Sequence, residues 1–137
     1  VSVAYRDGFT ASGTLLIYGP AEANEKARLC GEMILQRLRR AGIDLEQSLI
    51  ECLGAGASNV PAPGQSPPNE VLLRVSARDC RRAALERFTK EFAPLVTSGP
   101  PGVTGYTTGR PPVREVFAYW PALVAKSAVT PAVHVLP

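Results

Sequence analysis

The chain of 137 residues is poor in the side chains that most enzyme chemistry needs. It has one histidine, His134, and three cysteines, Cys30, Cys52 and Cys80, widely spaced and without a C-x-x-C. Such a set neither builds a zinc site nor pairs off into a disulfide framework, and it fits a reducing compartment. No Gly-Lys-Ser/Thr occurs, which excludes a nucleotide P-loop. No apolar run approaches the roughly 18 residues of a spanning helix, and the first residues, VSVAYRDG, lack the pattern of a secretory signal. The expectation is a cytoplasmic protein without a membrane partner. The chain opens on Val1 and its one methionine is Met33, which predicts a piece of a longer protein.

Charge excludes little. A net charge of +3 is too mild to imply nucleic acid, and the expected strands TLLIY and VLLRVSA lack the stacking aromatics of an RNA-binding sheet. The arginines at 37, 39 and 40 and at 78, 81, 82 and 87 read first as solvated helix faces, with a phosphate-bearing partner as the alternative. Apolar content of 45% with 20% charged residues belongs to an ordinary globular domain, and the length suits one.

The pattern of apolar residues alternates between two periods. Residues 14–18, TLLIY, bounded by Gly13 and by Gly19-Pro20, predict a buried strand. From 21 to 41, Ala23, Ala27, Cys30, Ile34, Leu38 and Ala41 recur at steps of three or four, which predicts an amphipathic helix ended by Gly42. Residues 49–53, LIECL, predict a second strand, interrupted by Glu51. Residues 54–69, GAGASNVPAPGQSPPN, have no period and read as a linker. The order then repeats. Residues 70–77 predict a strand, with Asp79 placed as a helix N-cap. Ala84, Leu85, Phe88, Phe92 and Leu95 predict one helix over 81–96, kinked near its end by Pro94. VREVFAYW at 113–120 predicts a strand, and the tail over 122–137 one further short extended segment.

Strand-helix-strand twice predicts an α+β fold, a ferredoxin-like sandwich of two βαβ units with about four strands and two helices on one face. The units are expected at about 12–54 and 70–121, in a single domain over 1–137.

Residues 97–112, TSGPPGVTGYTTGRPP, hold four Gly and four Pro and make the first candidate site. Glycine-rich turns can converge N–H groups on an anion, and Arg110 offers a guanidinium fork. The prolines remove four donors, so a plain connector is the competing reading. Gly102, Thr104, Gly105, Tyr106 and Arg110 are the ligand-binding candidates. Cys80 follows Asp79, which opposes the ionisation a reactive thiolate needs, and no histidine is near. Phe117, Tyr119 and Trp120 suit a core, a pocket or an interface. No catalytic constellation, metal site or cofactor motif is apparent.

Two stretches, YRDGFTASGTLLIYGP with AEANEKARLCGEMILQRL, and EFAPLVTSGPPGVTGYTTGRPPVREVFAYWPALV, together resemble the acyclic terpene utilisation (AtuA-like) protein family. The resemblance covers nearly the whole chain. It implies a C-terminal subdomain working with a large N-terminal α/β region absent here. It also implies catabolism of citronellol- and geraniol-like terpenes or related organic acids through CoA thioesters. A small-molecule substrate of the acyl-CoA or organic-acid type and a homo-oligomer are the expected partners. An assembly module without chemistry of its own is the alternative. The resemblance places Gly99, Pro100, Gly102, Thr104, Gly105, Gly109, Arg110 and Pro111 in a shared motif and transfers no catalytic role.

Overall fold

The computed structural model describes residues 1–56 and 66–135, so most of the expected linker and the last two residues of the tail lie outside it. The fold is mixed α/β, built on a five-stranded antiparallel sheet. Its strands are β1 (Ser2–Tyr18), β2 (Gln47–Leu53), β3 (Glu70–Asp79), β4 (Val103–Gly105) and β5 (Arg114–Pro121). Three α-helices are described: α1 (Ala23–Arg40), α2 (Arg82–Phe88) and α3 (Phe92–Ser98). The strand order is β2-β3-β1-β4, with β5 also on β1.

Register decides which side chains meet the helices. β1 and β3 pair continuously from Phe9↔Asp79 to Tyr18↔Glu70. Because side chains alternate, Ala11, Leu15 and Ile17 share one face with Val71, Leu73, Val75 and Ala77. All of these are buried, together with Ala23, Ala27, Cys30, Ile34 and Leu38 of α1. Leu85 and Phe88 of α2 and Phe92 and Leu95 of α3 join the same cluster, so the three helices cover one face. Gly13 lies on that face, and a methyl there would stand 2.3 Å from the Phe92 ring. Its missing side chain is what lets Phe92 lie against β1.

The opposite face is mostly polar. Ser12 and Ser76 exchange a hydroxyl hydrogen bond at 2.9 Å, and Arg74 forks onto Glu51 at 2.6 and 2.7 Å. Glu51, which breaks the apolar run of β2, therefore sits on the solvated side of a true strand. Asp79 ends β3 and is not the N-cap, which is Arg81. Its carboxylate accepts the Arg81 N–H at 2.8 Å and the Glu46 N–H at 3.3 Å, and Arg81 in turn donates to the Asp44 carbonyl.

Three expectations need correction. The sheet has five strands, because β1 is seventeen residues long and the Gly/Pro stretch contributes β4. The single helix over 81–96 is two, broken at residues 89–91. Pro94 cannot donate to the carbonyl of Lys90, so the helix restarts and holds Pro94 in the first turn of α3, where an N–H is not needed. The apolar stripe survives the break, and Phe88 meets Phe92 edge-on at 5.2 Å. Among its described residues the tail holds a short 3₁₀ turn, Lys126–Ala128, and no strand, with His134 exposed beyond it.

The break is clamped by Glu91. Its carboxylate is fully buried and takes Arg37 of α1 at 2.5 Å and Arg87 of α2. Both arginines keep part of their surface in water, so losing the carboxylate leaves them solvated. Glu91→Gln is therefore expected to cost about 1–3 kcal/mol, the usual range for a buried polar group losing its partners. Urea denaturation measures this as a lowered midpoint with an unchanged slope.

Candidate functional site

β4 and β5 run along the same edge of β1. Residues 15–17 of β1 pair with β4, and residues 2–10 pair with β5. Phe9 and Thr10 pair with β3 and β5 at once, so β5 lies on the side away from β3, as β4 does. The two short strands are thus one edge strand, interrupted where residues 106–113 loop out opposite residues 11–14. The glycine-rich stretch is more than a helix-to-strand connector, since it carries β4. It is an excursion from an edge, and Pro111 and Pro112, without N–H groups, suit a segment that leaves the ladder.

The excursion closes a cleft of about 430 Å³ against the α2–α3 break. β1 contributes Thr14 and Leu15, and α3 contributes Phe92, Ala93, Val96 and Thr97. Thr89 and Lys90 come from the break itself. Gly105, Thr107, Gly109, Arg110 and Pro111 complete the wall. The floor is apolar, and the rim carries hydroxyls and two cations. Thr14 and Thr107 are joined hydroxyl to hydroxyl at 3.3 Å, which ties the loop to β1. Among the described residues, neither Lys90 nor Arg110 has an acidic partner. The arrangement suits an organic anion with an apolar body.

Of the five residues singled out in the sequence, Gly105 and Arg110 line this cleft. Gly102 shapes the turn that starts β4, with φ of 86°. Thr104 lies on β4 opposite Leu16, and Tyr106 is exposed at the start of the excursion; neither lines the cleft. Lys90, Phe92, Val96 and Thr107 were not expected there. Phe92 fits a core stripe on spacing alone, and the helix break that turns Lys90 toward the loop leaves no periodic signature beyond Pro94.

Elsewhere, Glu46, Asp79 and Cys80 bring donor atoms within 4.8 Å of one another. Both Asp79 oxygens are already taken by Arg81 and by the Glu46 N–H, and its carboxyl is held low, to about 2, chiefly by Arg81. The Cys80 thiol is pushed up, first by the Glu46 carboxylate that takes its hydrogen bond. That is the opposite of what an activated thiolate requires. Burial likewise raises Cys30 and Cys52. Among the described residues no helix is long and apolar enough to cross a membrane.

A family profile described as acyclic terpene utilisation family protein AtuA matches residues 1–135. No curated protein and no solved structure matches the chain.

Gly102 anchors the loop's near end. Its carbonyl accepts the Tyr18 N–H at 2.8 Å, and a methyl on it would stand 2.3 Å from the Tyr18 carbonyl oxygen. Lys26 braces the same turn, donating to the Pro101 carbonyl at 2.9 Å. Gly105 has open space and an ordinary φ. Gly102→Ala is expected to lower stability by more than about 1 kcal/mol, combining strain with a clash, and Gly105→Ala by less than about half of that. Thermal unfolding of the two variants side by side checks the contrast.

Proposed function

The chain belongs to the acyclic terpene utilisation (AtuA) family, and from that premise we propose that it is a ferredoxin-like subdomain that binds a small organic acid or its CoA thioester. The strand order β2-β3-β1-β4, with helices crossing one face, supports the ferredoxin-like reading. The observation that carries the binding function is the cleft. Its Phe92, Val96 and Leu15 floor suits an apolar chain, and the unpaired Lys90 and Arg110 suit the acid at its end. In this reading the subdomain supplies one wall of a site completed by an N-terminal region of the same cytoplasmic protein, and the Gly/Pro excursion is that wall.

The test is direct binding of an acyclic terpenoid acid such as citronellate to the full-length protein, followed by calorimetry. Arg110→Ala is expected to weaken binding about tenfold, which corresponds to ~1.4 kcal/mol. Arg110 bears no structural load in the described residues, so the fold should be unchanged. Binding that is equal in wild type and Arg110→Ala contradicts the assignment.

A second reading, assembly with another copy, is favoured by a separate observation. Beyond the bulge at residues 7–8, β1 and β5 continue as a bare two-stranded ribbon. Val3, Tyr5 and Trp120 share one of its faces, and Phe117 and Tyr119 the other, with Trp120 66% and Tyr119 72% exposed. Two strands alone are marginal in water, and aromatic anchors of this kind are common at interfaces. Light scattering at about 100 μM should give the mass of a dimer or larger species that Trp120→Ala reduces; a strict monomer sinks this reading.

A further inference from the structure

The interruption of the edge strand leaves main-chain groups of β1 unclaimed, and their direction follows from the ladder. In an antiparallel pair, a residue's N–H and C=O point together to one neighbour, and the next residue's point to the other. The Tyr18 N–H reaches Gly102, on the β4 side. Counting back by twos along the continuous register, Leu16, Thr14, Ser12 and Thr10 all direct their main-chain groups to that same side. Leu16 meets Thr104 of β4, and Thr10 meets Arg114 of β5. Ser12 and Thr14 face the gap. Among the described residues, no group bonds to the N–H of either one or to the Ser12 C=O, while the Thr14 C=O is turned to the Tyr106 N–H, as the pairing of Leu15 with Gly105 requires.

Thr14 lines the cleft, and the two cations stand at the same opening. Two donors and one acceptor, with Ser12 and Thr14 about 7 Å apart at strand spacing, form a short template for an extended amide. We infer that the ligand of this cleft is an organic anion carrying a secondary amide, which pairs with the free edge of β1 at Ser12 and Thr14 while Arg110 and Lys90 hold its charged end. The inference rests on the cleft being the binding site, and adds what distinguishes the ligand from a plain carboxylic acid. Two sources supply that chemistry: the amide-bearing arm of a CoA thioester, and the C-terminal end of a peptide.

The experiment compares an N-acylglycine with a fatty acid of equal length on the full-length protein that contains this chain, ¹⁵N-labelled at serine and threonine. The acylglycine should bind at least tenfold more tightly and move the Ser12 and Thr14 amide proton resonances downfield; the fatty acid should leave those two amides in place. Thr14→Pro removes one donor that the β1–β3 ladder does not use, and should abolish the preference for the acylglycine. Should that variant fail to fold, the wild-type shifts still decide. Displacement of the acylglycine by pantetheine assigns the CoA arm as the source, and displacement by an N-acetyl dipeptide assigns the peptide. Equal, Arg110-dependent binding of both acids with Ser12 and Thr14 unshifted overturns the amide inference and leaves the cleft reading standing. Binding of neither acid overturns both.

Discussion

The ten-residue antiparallel ladder between β1 and β3 is the constraint on which the rest depends. It fixes the parity of every side chain in the centre of the sheet. One parity sends Leu15, Ile17, Leu73 and Val75 under the helices, and the other sends Thr14, Ser76 and Arg74 into water. A slip of one residue would exchange the two sets, so the hydrophobic pattern locks the register. Gly13 belongs to the buried parity, and its bare backbone admits the Phe92 ring. That one contact sets the height of α3 over the sheet, and hence the floor of the cleft.

With one edge of β1 occupied by β3, whatever happens on the other edge is visible in the site. There a single strand would suffice, yet residues 106–113 leave it and return. The excursion and the α2–α3 break stand on opposite sides of the cleft, and proline lies behind both: Pro111 and Pro112 suit a segment outside the ladder, and Pro94 restarts the helix. Glu91 then holds the break closed through Arg37 and Arg87. The candidate site is thus assembled from two places where regular structure stops, each held by an identifiable interaction.

Much of this was legible in the residues themselves. The α1 stripe from Ala23 to Leu38, the β3 alternation and the stripe through Leu95 are periodic signals, and each is buried as its period implies. Gly42 takes the left-handed conformation, with φ of 76°. The family resemblance agrees with the match over residues 1–135. Non-local pairing was not legible. Ser2 to Arg6 are strand because β5 lies beside them, and nothing in VAYR requires it. Likewise β4 is a strand only by virtue of Leu15 to Ile17, and its three residues are too few to show a period. Arg110 and Gly105 could be chosen from sequence because the loop's composition is distinctive. Lys90 could not, since its place depends on where the helix breaks.

The central claim is that the edge of β1 is paired at both ends and open in the middle. Amide hydrogen exchange of the ligand-free protein tests it residue by residue. The account predicts slow exchange at Thr10 and Leu16, which are bonded to β5 and β4, and exchange at least about tenfold faster at Ser12 and Thr14 between them. Ser12 and Thr14 exchanging as slowly as Leu16 would mean that the edge is closed, and would contradict the account.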